Sequence, residues 1–106
     1  MITTHVLDTA LGRPAAAVPI RLEHDGAVVA AGETDADGRL RTLTPPGPVA
    51  PGEYRIRFDT AAYFALSGQA GFFPHVEIAF TVVDGAQHYH VPLLLSPFGY
   101  STYRGS

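Results

Sequence analysis

None of the 106 residues is cysteine, which removes disulfides, thiolate nucleophiles and cysteine zinc sites and leaves the fold to stand on packing alone. Charge is scarce: only 16% of residues are charged, and seven basic side chains against ten acidic ones leave a net charge of −3. That balance offers no electrostatic footprint to nucleic acid or to an anionic membrane, and neither partner is expected. Long apolar runs are missing too, since the strongly hydrophobic stretches fall far short of membrane-spanning length. The first residues lack the basic and apolar regions of a secretory leader. The last three, Arg104-Gly105-Ser106, are not the peroxisomal Ser-Lys-Leu address. Together these absences describe a soluble, cytoplasmic protein. Glu33, Asp35 and Asp37 before Gly38 have the look of a calcium loop, but the twelfth position counted from Glu33 is Thr44, where a bidentate glutamate is required. Calcium is rejected.

What is present is apolar and strand-like. At 46% hydrophobic residues, residues 1–106 make a single domain able to bury about two thirds of the surface its unfolded chain exposes. The apolar excess suggests that partner subunits cover part of the surface. Short alternating or apolar stretches separated by Gly, Pro and Asp predict eight strands: Thr3–Asp8, Val18–Asp25, Ala27–Asp35, Arg39–Leu43, Glu53–Asp59, His75–Val83, Gln87–Ser96 and Gly99–Gly105. This is an all-β, two-sheet sandwich. Asp25-Gly26 and Asp84-Gly85 suit tight hairpins because both residue types tolerate positive φ. One short helix is expected between Thr60 as N-cap and Gly68 as C-terminal stop. Pro45, Pro46, Pro48 and Pro51 mark an extended loop.

Chemistry concentrates near the C-terminus. On a strand, His88 and His90 point to one face about 7 Å apart, with Tyr89 and Val91 on the other. Three readings are open: a surface pair, a zinc site completed by a further histidine, or a general base titrating near neutrality. Arg39 at a strand entrance and His5 on the first strand each have an ordinary structural explanation when taken alone. His24 and His75 are assigned no role. Tyr103-Arg104-Gly105-Ser106 is a good ligand-contacting set and a poor core, or else a surface tail.

The motifs "HVLDTALGRPA", "TDADGR", "FFP" and "HYHVPLLLSPFGYSTYRGS" resemble the 5-hydroxyisourate hydrolases, the transthyretin-related family of purine breakdown. The resemblance runs from His5 to Ser106. It implies a transthyretin-like two-sheet β-sandwich of about eight strands with one short helix, assembled as a homotetramer, a dimer of dimers with a central channel lined by the C-terminal tetrapeptide. It also implies catalysis by His5, Arg39, His90 and Ser106, substrate binding by His5, Arg39 and Tyr103, and support from His88, Arg104 and Gly105. The implied reaction is opening of the cyclic amide of 5-hydroxyisourate by water in urate degradation, with no metal and no cofactor. Which histidine is the base stays open, and an acyl-enzyme on Ser106 is disfavoured. A zinc amidohydrolase on His5, His88 and His90 is one alternative. The other is a transthyretin-like carrier, against which polar His5, Arg39 and His90 weigh, since they would penalise an apolar ligand.

Overall fold

Period-two alternation decides which side chains of the first strand meet the core. In β1 (Ile2–Asp8), Ile2, Thr4, Val6 and Asp8 are buried, while Thr3, His5 and Leu7 turn to the outer face. A computed structural model of the chain, covering residues 1–106, places β1 in the middle of one sheet. Its neighbours are β2 (Arg13–Pro14) and β7 (Tyr89–Ser96), which runs parallel to it with Thr3 opposite His90. β8 (Gly99–Thr102) closes that sheet antiparallel to β7. The second sheet has the order β4 (Ala27–Glu33), β3 (Pro19–His24), β5 (Gly52–Phe58), β6 (Val76–Val82). Between the sheets lies one cluster of 20 buried apolar residues, among them Ile2, Val6, Leu22, Ile56, Phe58, Leu93 and Leu95. The inward side chains of both sheets thus build the sandwich, and the outer face of the β2-β1-β7-β8 sheet is free to carry polar groups.

The predicted sandwich of eight strands and one helix is found, with three local corrections. Asp25 and Gly26 form the expected two-residue hairpin, with φ of 51° and 75°, as a type I′ turn requires. Asp84-Gly85 does not make a hairpin, because β6 and β7 belong to different sheets. Gly85 is needed there for close approach: a Cβ would lie 1.8 Å from the Val49 carbonyl oxygen. Residues Arg39–Leu43 do not form a strand. Arg39 makes one isolated bridge to His5, Leu40 and Leu43 drop into the core, and Arg13–Pro14 supplies the eighth strand instead. The helix, α1 (Thr60–Ser67), is capped by Asp59, whose carboxylate accepts from Ala62 N–H at 3.1 Å. Thr60 stands one residue inside, its hydroxyl donating to the Phe73 carbonyl at 2.6 Å. Gly68 ends the helix at φ 69° as expected. No helix is long and apolar enough to cross a membrane.

A buried carboxylate ties α1 to the end of β1. Asp8, 1% exposed, accepts from the Tyr63 hydroxyl at 2.5 Å and from the Gln69 amide at 2.9 Å. The Ala10 and Leu11 N–H groups donate to its other oxygen at 3.0 and 2.8 Å. Burial alone would raise the Asp8 carboxyl, but these four donors outweigh it and hold the group below its ordinary range. Burial, then the bond to Asp8, pushes the Tyr63 phenol up to about 12. Asp8→Ala strands Tyr63 and Gln69 without their acceptor and is expected to cost about 2–4 kcal/mol, read as a lower urea midpoint at neutral pH. Because the folded-state value is depressed, this stability is present above the unfolded carboxyl value and is lost as pH falls through the folded one. The variant should therefore lose less on acidification than the wild type. Equal midpoints at neutral pH would contradict the role given to Asp8.

Candidate active site

The site is assembled on the outer face of the β2-β1-β7-β8 sheet, and its first component is a turn held by Asp35. The Asp35 carboxylate accepts from Asp37 N–H at 2.9 Å and Arg39 N–H at 3.0 Å, and Arg41 adds a contact at 3.2 Å. The Arg39 N–H bond is the chief reason the Asp35 carboxyl sits below its ordinary value. Gly38, at φ 77°, lies so close to β1 that a Cβ would be 2.3 Å from the Val6 carbonyl oxygen. Val6 N–H in turn donates to the Gly38 carbonyl at 2.8 Å. "DADGR" is thus a turn pressed against β1, and it delivers Arg39 beside His5.

His5 is fixed by the same turn. Its Nε2 lies 2.7 Å from the Asp37 carbonyl oxygen. A carbonyl can only accept, so Nε2 carries the proton, and in the neutral ring Nδ1 is the free acceptor. Arg39 is half-buried and has no carboxylate within ion-pair distance, whereas Arg21, Arg41, Arg55 and Arg57 all do. A half-buried guanidinium without a protein partner is a binding group awaiting an anion or a polarised oxygen.

His90, opposite Thr3 across the parallel pair, is the second component. Its Nδ1 is 2.8 Å from the Thr3 hydroxyl oxygen, which also lies 2.7 Å from His88 Nε2. His88 and His90 do share a face, with ring centroids 6.3 Å apart. The tail folds back over His90: Gly105 N–H donates to the His90 carbonyl at 2.8 Å, and a Cβ on Gly105 would lie 2.5 Å from His90 Cδ2. Only glycine lets the chain rest on that ring. Burial first, then the charges of Arg39, His88 and His5, holds His90 below the ordinary histidine value, so it is neutral and basic at neutral pH.

Arg39, His90, His88 and Ser106 line one open cleft of about 390 Å³, together with Thr3 and Arg41. Tyr103 is not brought into it within one chain. It is 58% exposed and lies with Arg104 in a separate cleft against Ile78, Phe80 and Tyr89. The Arg104 guanidinium sits 4.4 Å above the Tyr89 ring and donates to the Gln87 side chain at 3.1 Å. No three His, Asp or Glu side chains converge as a metal-ligand set: Thr3 stands between His88 and His90, and His5 Nε2 is committed to a carbonyl. Sequence reasoning assigned nothing to Thr3. The available signal was its place two residues before His5, on the same strand face.

Set beside known proteins, residues 2–105 match the model of the HIUase/Transthyretin family. The 5-hydroxyisourate hydrolase of Mus musculus is 45% identical over 111 residues, spanning 99% of this chain and 94% of the mouse protein. The solved structure of Klebsiella pneumoniae 5-hydroxyisourate hydrolase is similar at TM-score 0.89 and 37% identity, covering 99% of this chain and 92% of that one. Transthyretin from Sparus aurata follows at TM-score 0.88 and 34% identity, covering 98% and 95%. With the match running along nearly the whole sandwich, the chain belongs to the HIUase/Transthyretin family.

Proposed function

We propose that this protein hydrolyses 5-hydroxyisourate to 2-oxo-4-hydroxy-4-carboxy-5-ureidoimidazoline in urate degradation, using neither metal nor cofactor. Near-equal likeness of fold to a hydrolase and to a transthyretin does not choose between catalysis and carriage, because fold alone does not set function. The observation that carries the reading is the unpaired Arg39 guanidinium in the same cleft as a His90 held neutral. Opening a cyclic amide needs water deprotonated, a developing oxyanion stabilised and a proton for the leaving nitrogen. His90 takes the proton from water, since Nδ1 is turned to Thr3 and Cδ2 to Gly105, leaving Nε2 as the ring's free nitrogen. Arg39 holds substrate oxygens through its planar fork. His5 orients the substrate with its free Nδ1, and the Ser106 hydroxyl bonds the attacking water or the substrate.

The active form in this reading is a homotetramer, a dimer of dimers whose channel is walled by the sheet face bearing Thr3, His5 and His90. Tyr103 contacts the planar substrate there by its edge and hydroxyl. Exposed Leu11 (45%) and Phe98 (76%), beyond the ends of β1 and β7, are apolar surface for a partner subunit to cover. Sedimentation should give a tetramer, and a fully active monomer would contradict the channel.

The test is the decay of freshly generated 5-hydroxyisourate, followed by absorbance across pH. A base with a depressed value works unprotonated, so the rate should be level through neutral pH. It should then fall about tenfold per pH unit on acidification below a value under ~6.5. A profile flat from mildly acid to mildly alkaline pH would remove the histidine base.

A further inference from the structure

We propose that Thr3 is a positioning residue whose hydroxyl sets the tautomer of His90 and links it to His88 as the solvent-side end of a proton path. The inference rests on the hydrolytic reading above. It starts from one oxygen with two histidine neighbours: Thr3 Oγ1 is 2.7 Å from His88 Nε2 and 2.8 Å from His90 Nδ1. A hydroxyl has one proton, so it can donate to only one of these nitrogens and must accept from the other. The two rings are therefore coupled in their tautomers.

Arg39 decides the direction. A neutral imidazole beside a cation is better placed with its lone pair than with an N–H toward the charge, and Arg39 lines the cleft with His90. His90 then carries its proton on Nδ1 and donates it to Thr3 Oγ1. Thr3 donates to His88 Nε2, and His88 carries its own proton on Nδ1. His90 is half-buried, whereas His88, which lines the same open cleft, is exposed, so the chain of hydrogen bonds runs from the sheltered side of the cleft to its solvent-facing side.

The path balances. As His90 Nε2 takes a proton from the attacking water, the Nδ1 proton passes to Thr3 and the Thr3 proton to His88 Nε2. His88, now protonated on both nitrogens, releases its Nδ1 proton to solvent. His90 next gives its Nε2 proton to the leaving nitrogen. It recovers a proton at Nδ1 from Thr3, Thr3 recovers one from His88 Nε2, and His88 refills Nδ1 from solvent. All three groups return to their starting state. The other charged and titratable groups around His90 are Arg39 and Arg41 from the turn, His5 on β1, and the Met1 amino group and Ser106 carboxylate that line the same cleft. None of these is hydrogen-bonded to Thr3 or His90.

Thr3 lies on the outer strand face and Thr4 on the buried one, so Thr3→Val keeps shape and strand preference while removing the hydroxyl. Two measurements test the proposal. Imidazole nitrogen NMR of the protein without substrate should show His90 protonated on Nδ1 in the wild type and in Thr3→Ser, and shifted toward Nε2–H in Thr3→Val. In dilute buffer, Thr3→Val and His88→Gln should each lower kcat about tenfold with little change in KM. Thr3→Ser should stay near wild type, and added imidazole buffer should restore His88→Gln. His90 protonated on Nε2 in the wild type, or His88→Gln turning over at the wild-type rate in dilute buffer, would overturn the proposal. Absence of wild-type turnover would instead refute the hydrolytic reading, and the NMR would still decide the tautomer.

Discussion

Arg39→Ala is expected to lower kcat/KM for 5-hydroxyisourate by about 10²–10³, the loss typical of removing one preorganised oxyanion donor. Four other arginines have carboxylates to answer them, but Arg39 has none, so the cleft is its only visible employment. Its backbone is held by Asp35 and by the bridge to His5, neither of which depends on the side chain, so the turn should survive the substitution. Arg39→Lys separates geometry from charge. Lysine keeps the cation but lacks the planar fork, so at least about tenfold should still be lost. Both variants remove or move the charge that helps hold His90 low. In Arg39→Ala the acid limb of the pH–rate profile should therefore shift upward toward the ordinary histidine value. Near wild-type kinetics in both variants would mean that Arg39 does not touch the substrate.

A chain ending at Thr102 should fold and be inactive. β8 ends at Thr102, whose hydroxyl still bonds the Pro92 carbonyl at 2.8 Å, and Tyr103, Arg104 and Ser106 are all exposed. None of residues 103–106 belongs to the core cluster. Their deletion removes Ser106 from the cleft, uncovers His90 and takes away the Tyr103 that the proposed tetramer would bring to the substrate. In the proposed tetramer channel, two hydrogen-bonding groups lost from the substrate correspond to roughly tenfold to a hundredfold each. Gly105→Ala probes the same contact with a single methyl group. A Cβ 2.5 Å from His90 Cδ2 must displace either the tail or the ring, so kcat should fall at least about tenfold with the urea midpoint little changed. Full turnover by the folded, truncated chain would show that the tetrapeptide is a surface tail.

Local rules were legible in the sequence wherever the deciding contacts are themselves local. Asp25-Gly26 turns a hairpin because its neighbours pair with each other. Asp84-Gly85 has the same chemistry but does not, because Val49, far away in sequence, occupies the space beside Gly85 and accepts the chain into a crossover. The alternation in Arg39–Leu43 looks like a strand until Asp35 captures the Arg39 N–H and the core takes Leu40 and Leu43. At Thr60, a hydroxyl well suited to capping is drawn to the Phe73 carbonyl, and the preceding Asp59 caps instead. In the site, motif resemblance singled out His5, Arg39, His90, Tyr103 and Ser106; the fold gathers Arg39, His90 and Ser106 in one cleft, with His5 and Tyr103 outside its lining. Thr3 could not be found that way. Its partner His90 is 87 residues distant, and only the parallel pairing of β1 with β7 makes them neighbours.

The most direct measurement is the decay of freshly generated 5-hydroxyisourate with wild-type protein dialysed against a strong chelator, beside buffer alone and His90→Ala. Cleavage by Arg39 and a neutral histidine predicts a rate proportional to protein concentration, unchanged by the chelator and lost in His90→Ala. Decay no faster than in buffer, or a rate abolished by the chelator and restored by zinc, would contradict it.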